Sequence, residues 1–392
     1  MTAFQAPSGT KDVLAPESAR VETLVGSFAR ACRLASYGLI ISPMFEDVGV
    51  FRRGVGDESD VVRKEMYEFE DKGGRHLALR PEGTAPVVRA YLQHRPATPW
   101  KTWYVTPAFR YERPQAGRYR QFHQLGIEAL GSDDPDLDVE VIALLSDFYR
   151  DVGLARFTLR LNSMGDGACR PQWIAALAGY LESHASQLCA EHKEVWSRNP
   201  IRVLDCKRPE CLAHRPEMPT IGEYLCEECR AHFARVIDGL DALGVAFERD
   251  EYLVRGLDYY TRTTFEFASD ALDTAQNAIG GGGRYDGLAG ALGGPETPGI
   301  GFALGIERLL LAADAEGALD VDVAPEICVV DLIGGDAARD LAHELRRAGV
   351  TTDRTFDNRS MKSQLRHANA SGARYALIVG AREAASGTVA IR

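Results

Sequence analysis

The sequence predicts an α+β protein: an antiparallel sheet, interrupted by a helical insertion and followed by a small α/β unit. Three observations carry this expectation. WYVTPAFRYE and QFHQLGIEAL are strand-like runs joined by the polar, glycine-containing loop RPQAGRYR, the pattern of an antiparallel hairpin with a long tip. A charged, helical and cysteine-bearing stretch from about Asp166 to Asp250 then breaks the strand pattern, which resumes at LVRGLDYYTRTTFEF. After Asp322, strand and helix alternate through APEICVVDLIGG, a helix over Ala337–Ala348, and YALIVG.

The remaining elements follow in chain order. Val21, Leu24, Val25, Phe28, Cys32 and Leu34 recur at helical spacing, so residues 17–37 form an amphipathic helix. LIISPMFEDVGVF reads as strand and turn, with Pro43 interrupting. Residues 135–153 are helical again, and a strand lies around RFTLRLN. PGIGFALGIERLLLA reads as a glycine-rich strand running into a helix.

A length of 392 residues fits one large domain with one or two smaller ones. No apolar run reaches the ~18 residues of a membrane span. The opening MTAFQAPSGTKDV lacks the basic-then-apolar build of a secretory signal. The eight cysteines form no dense framework, which points to a reducing cytoplasm. The net charge of -11 argues against a polyanionic partner, but from Asp336 onward ten Lys/Arg face six Asp/Glu. Phosphate contacts depend on the local field, so charge alone leaves RNA open.

Five segments carry the chemistry. In the hairpin, alternation puts Tyr104, Thr106, Arg110 and Glu112 on one face, and Gln124, Gly126 and Glu128 together on the partner strand. A glycine between an amide and a carboxylate leaves an open floor for a small polar ligand. Arg113, Arg118 and Arg120 on the loop suit a polyanion, since guanidinium forks match phosphate oxygens. The bland alternative is a solvated hairpin with cross-strand ion pairs. In LALRPEGTAP, Glu82 and Thr84 stand two apart and can face one pocket, although PEG also makes an ordinary turn. In LVRGLDYYTRT read as a strand, Arg255 and Tyr259 share a face and Tyr260 takes the other. AIGGGGRYDGL permits close backbone approach to a ligand, followed by Arg284 and Tyr285. Its spacing is neither that of a dinucleotide fingerprint nor that of a P-loop. In GIGFALGIERL, Arg308 at a helix start over a glycine-floored strand can clamp a phosphate.

Together these segments resemble histidyl-tRNA synthetases, a family of class II aminoacyl-tRNA synthetases. FRYERPQAGRYRQFHQLGIEALG is similar to the family's motif 2 and PGIGFALGIERL to its motif 3. LVRGLDYYTRT and GGGGRYDGL resemble its two histidine-specific segments, and PSGTKDVLAPE its usual opening. The resemblance implies a class II catalytic sheet in two parts, 1–165 and 251–320, and an inserted helical subdomain over 166–250. It also implies a C-terminal anticodon-binding α/β domain over 325–392. The family usually continues a few dozen residues further, so that last domain is expected to lack its final strand and helix.

The implied activity is ATP-dependent formation of histidyl-adenylate and transfer of histidine to the 3′ end of its tRNA. By motif position, Glu82, Thr84, Gln124, Glu128, Tyr259 and Tyr260 surround the histidine. Arg110, Glu112, Arg118 and Arg308 hold ATP, with Arg110 on the α-phosphate, and Gln115 and Arg118 meet the tRNA acceptor end. Arg255 and Arg110 are the implied catalytic residues, Arg255 supplying charge that related enzymes obtain from a metal. Mg²⁺ is expected with the β- and γ-phosphates. A homodimer is implied too, with ISPMFEDVGVFRRG at the interface. The rival is the family's catalytically inactive paralogue, a regulatory subunit of ATP phosphoribosyltransferase.

Cys206, Cys211, Cys226 and Cys229 form C-x4-C…C-x2-C inside the insertion. The spacing fits one structural zinc ion. The alternative is four reduced thiols on a helical subdomain.

Overall fold

The computed structural model describes residues 4–56, 59–272, 277–356 and 359–392. The chain divides into two compact units, Met1–Asp320 and Val321–Arg392. Among the described residues of the first, an eight-stranded sheet runs in the order Gly38–Leu39, Trp100–Phe109, Gln121–Leu130, Gly299–Gly305, Ala278–Arg284, Thr261–Ser269, Phe157–Ser163, Glu248–Arg249. The two edge strands pair in parallel and every inner pair is antiparallel.

Alternation along these strands separates core from site. Leu125, Ile127 and Ala129 enter an apolar cluster with Leu24 and Phe28 of helix Glu17–Leu34, Ile142, Leu145 and Phe148 of helix Pro135–Asp151, and Leu309 of helix Ile306–Glu316. Gln124, Gly126 and Glu128 point to the opposite face. There, Val48, Phe51 and Val55 of helix Val48–Val55 and Val87 and Val88 of helix Thr84–His94 form a second cluster.

Helix Val48–Val55 corrects the strand-and-turn expected over LIISPMFEDVGVF. The Asp47 side chain accepts from Gly49 N at 2.8 Å, and this N-cap favours the helix over the strand propensity of its valines.

In the insertion, helices Arg170–His184 and Glu227–Ala242 flank a run of short helical turns. The second of these helices buries Phe233, Val236 and Leu240 in the same cluster as Leu125 and Ile127. A fully buried polar node adds to that contact. Asp138 receives Arg284 Nε at 3.0 Å and Thr263 Oγ1 at 2.6 Å, and its Oδ2 lies 2.8 Å from His232 Nε2. Arg284 also donates to the carbonyls of Ser132 and Asp134 at 3.1 and 3.0 Å. Two helices and two strands therefore meet at one carboxylate.

The second unit is a four-stranded sheet in the order Thr352–Arg354, Ile327–Asp331, Tyr375–Val379, Ala390–Ile391. Its first three strands are parallel and the last antiparallel. Cys328 and Val330 pack with Ala368, while Val329 packs with Ala338 and Ala342, so helices cover both faces. Strand Thr352–Arg354 and helix Met361–Ala370 were not marked by the sequence pattern.

Removing one partner of a buried pair leaves the other uncompensated, at a cost of about 3–5 kcal/mol. Asp138→Ala should lose that much in urea unfolding followed by tryptophan fluorescence. All four tryptophans lie in the first unit, so the signal reports on it alone. A loss below about 1 kcal/mol would remove the node from the account of the fold.

Candidate functional site

The site is built on a floor with few side chains. Gly126 lies opposite Tyr104 on one side and Ala303 on the other. A Cβ at Gly126 would run into the Tyr104 ring and come within 2.7 Å of the Phe302 carbonyl. Gly281 lies opposite Glu266 and Ala303. A Cβ there would stand 3.0 Å from the Arg255 guanidinium carbon and 2.7 Å from the Phe265 carbonyl. Two large side chains thus lie flat across the sheet where ordinary residues would lift them off.

Over the Gly126 end sits a buried carboxyl pair. Glu82 accepts from the backbone N–H of Thr84 at 2.6 Å and of Ala85 at 2.9 Å, at the N-terminus of helix Thr84–His94. Glu128 is fully buried and receives hydroxyls from Tyr285 at 2.5 Å, Thr84 at 2.7 Å and Tyr104 at 3.2 Å. Burial outweighs these donors and, with help from Glu82, pushes the Glu128 carboxyl up to about 8. Burial also raises Glu82, against the pull of its two amide donors. Tyr259 and Tyr260 pack beside the pair with ring centroids 4.7 Å apart, and Tyr259 meets Tyr285 edge-on at 5.9 Å.

Beyond the Gly281 end opens a cavity of about 220 Å³ lined by Arg110, Arg118, Arg255, Arg308, Glu112, Gln124 and Phe122 among others. Arg110 anchors its Nε on the Pro81 carbonyl at 2.9 Å, with its guanidinium over the Phe122 ring at 5.3 Å. Arg255 pairs with Glu266 at 2.5 Å. Burial works against the Arg255 charge, but Glu266 holds the guanidinium above its ordinary range. Arg308 donates to the Ala278 carbonyl at 3.1 Å and is lowered first by burial, then by Arg118. Arg118 pairs with Glu112 across a tight turn in which Gln115 and Arg118 exchange backbone hydrogen bonds. Gly117, with φ +70°, supplies the left-handed residue that this turn requires.

All the histidine-site and ATP-site residues named from the sequence therefore lie at two adjoining places on one face. Gln124 joins them: it lines the cavity, and its Oε1 is buried with no hydrogen-bond partner. Glu82, Thr84, Glu128, Tyr259 and Tyr260 do not line the cavity. Gln115 is exposed on the loop tip. Tyr104, Tyr285 and Glu266 belong to the site although the sequence reading gave them no role. Strand alternation had put Tyr104 on the right face, and Tyr285 follows the glycine run.

Three expectations are corrected. Tyr259 and Tyr260 are both buried in one cluster, because residues 251–260 turn around Gly256 and the strand begins only at Thr261. Arg284 is buried against Asp138 and faces away from the site. Cys206, Cys211, Cys226 and Cys229 do not form one group. Cys206 and Cys211 gather with Cys189 and His192, and Cys226 and Cys229 with Asp166 and Cys169. Each pair is completed by side chains from a different part of the insertion.

The sequence profile of the histidyl-tRNA synthetase family matches residues 9–165 and 201–309, and that of an anticodon binding domain matches 327–392. A histidine–tRNA ligase of Moorella thermoacetica is 49% identical, over 98% of this chain and 92% of its own length. One of Streptomyces coelicolor is 47% identical, over 100% of this chain and 93% of its own. The solved apo histidyl-tRNA synthetase of S. aureus matches with a TM-score of 0.81 at 34% identity, covering 100% of this chain and 95% of that one. A Bacillus halodurans structure described as an ATP phosphoribosyltransferase regulatory subunit/histidyl-tRNA synthetase shares the fold at a TM-score of 0.67 and 22% identity, over 91% of this chain and 93% of that one.

The raised Glu128 carboxyl has a consequence for stability. The native state keeps a proton that the unfolded chain gives up near pH 4.3, so stability falls as pH rises from there to about 8. The slope contributed by this one group is at most about 1.4 kcal/mol per pH unit. Glu128→Gln should flatten that part of the pH profile of urea unfolding. Identical profiles for the two proteins would show that Glu128 is not held protonated.

Proposed function

The chain belongs to the histidyl-tRNA synthetase family and is an ATP-dependent histidine–tRNA ligase; from that premise we propose how its site carries out the reaction. Near full-length identity to histidine–tRNA ligases, together with the anticodon-domain match, favours this activity over the regulatory-subunit reading.

Histidine occupies the carboxyl pocket. Glu128 and the tyrosine hydroxyls around it satisfy the two imidazole nitrogens, while Glu82, Thr84 and Gln124 provide further polar contacts. A side chain without those nitrogens would leave buried polar groups unpaired, which gives strong discrimination without an editing site. ATP occupies the arginine cavity, with Arg110 and Arg255 on the α-phosphate, Glu112 toward the adenine and Arg308 on the γ-phosphate.

The histidine carboxylate attacks the α-phosphorus, forming the acyl–phosphate bond as pyrophosphate leaves. Negative charge grows on the α-phosphoryl oxygens during this step. Arg255, fixed by Glu266 and the Gly281 floor, and Arg110, fixed by Pro81, meet that charge without reorganising. The tRNA 3′ hydroxyl then attacks the adenylate carbonyl and releases AMP, a step governed by positioning. Gln115 and Arg118 on the hairpin loop contact the acceptor end, and the unit Val321–Arg392 takes the anticodon stem.

Mg²⁺ fits the donors available, since it is held by one or two carboxylates together with substrate phosphates. Glu266, paired to Arg255 at the cavity wall through one carboxylate oxygen, would hold it with the other. It would neutralise charge on the β- and γ-phosphates. A second subunit is supported by exposed Ile41, Met44 and Phe45, apolar residues in the segment expected at the dimer interface. No helix of the described residues is long and apolar enough to cross a membrane, and a cytoplasmic setting suits this reaction.

The observation carrying this reading is Arg255 standing on Gly281 at the wall of an arginine-lined cavity. Histidine-dependent ATP–pyrophosphate exchange tests it. Arg255→Ala should lower exchange by about 10²–10³-fold while the chain stays folded. Histidine-dependent exchange that survives the substitution unchanged would remove Arg255 from the mechanism.

A further inference from the structure

Among the described residues, the insertion gathers two clusters of soft ligand atoms. One holds Cys189, His192, Cys206 and Cys211, all buried. The other holds Cys169, Cys226 and Cys229 with Asp166. Within each, one ligand atom per residue lies within 4.8 Å of every other. A tetrahedral zinc ion with Zn–S bonds of about 2.3 Å sets its sulfurs about 3.8 Å apart. The observed separations are 4.0 Å for Cys189–Cys206 and 3.9 Å for Cys169–Cys229. Cys189 Sγ lies 3.1 Å from His192 Nδ1, and Cys169 Sγ 3.5 Å from Asp166 Oδ1. The sulfurs are too far apart for disulfides, and all eight cysteines are free.

Backbone amides aim at three of the sulfurs: Cys189 N at Cys211 and Cys229 N at Cys226, each at 3.5 Å, and Asp166 N at Cys169, at 3.3 Å. The second carboxylate oxygen of Asp166 is 3.6 Å from Arg262, an outer partner that would orient it as a ligand. We propose that the insertion binds two zinc ions, one on Cys189, His192, Cys206 and Cys211 and the other on Asp166, Cys169, Cys226 and Cys229.

The two sites do what the insertion's secondary structure cannot. Between His184 and Glu227 the chain has only helical turns of three or four residues, too short to hold together alone. The first ion ties two of those turns, His192–Val195 and Pro209–Leu212, to the connecting residues Cys189 and Cys206. The second joins the start of helix Arg170–His184 to the start of helix Glu227–Ala242. From there Arg170 donates to the Tyr260 carbonyl at 2.8 Å, so this ion braces the turn that carries Tyr259 and Tyr260. Asp166, Cys169, Cys189 and His192 fall between the two segments matched by the family profile. Cys206, Cys211, Cys226 and Cys229 lie within the second matched segment.

Elemental analysis of the full chain, purified under reducing conditions from zinc-supplemented culture, should find two zinc ions per chain. Cys211→Ser and Cys229→Ser should each leave one, and the double variant none. Cobalt loaded into the wild-type chain, which avoids dependence on the variants' folding, should show the visible bands of tetrahedral thiolate sites. The proposal is overturned if the wild-type chain holds no zinc. A single zinc ion in the wild-type chain, absent from both single variants, would replace it with one shared site. Fewer than eight titratable thiols in denaturant without reductant would replace it with disulfides.

Discussion

The missing side chains on the central strands are the constraint on which the site depends. Gly126 lets the Tyr104 ring lie across the sheet and reach Glu128, and Gly281 lets Arg255 do the same toward Glu266. A single methyl group at either position would meet backbone oxygen as well as the overlying side chain. Neither glycine is a hinge. Each sits in a regular antiparallel register and serves by leaving room.

That floor carries two fields of opposite character side by side. At one end, burial raises both carboxyls and the tyrosines, Glu128 to about 8, which makes a polar pocket suited to an imidazole. At the other, four guanidiniums crowd a small cavity, with Glu112 and Glu266 holding two of them in place. A small amino acid and a polyphosphate each find a matching half. In the proposed reading their reacting groups meet near Gln124, which lines the arginine cavity.

Much of this was legible in the sequence, because a strand period of two assigns faces without a structure. The hairpin showed Gln124, Gly126 and Glu128 on one side, and the glycine runs marked where the sheet would be bare. Alternation fails where the chain leaves the strand, as at Gly256, which is why Tyr259 and Tyr260 were placed on opposite faces. LIISPMFEDVGVF suggested strand and turn, but the Asp47 cap starts a helix at Val48. Cysteine spacing could not sort the ligands of the insertion, since its short turns have no period to follow. Cys189 and His192 entered only through the fold. Glu266 was hidden for another reason: its role exists only opposite Arg255, across a turn that the sequence pattern does not describe.

The floor is tested most directly by Gly281→Ala, with histidine binding measured by calorimetry beside histidine-dependent ATP–pyrophosphate exchange. If the bare floor is what sets Arg255, exchange falls by about 100-fold or more while histidine still binds. Exchange at the wild-type rate would show that Arg255 reaches its place without the glycine.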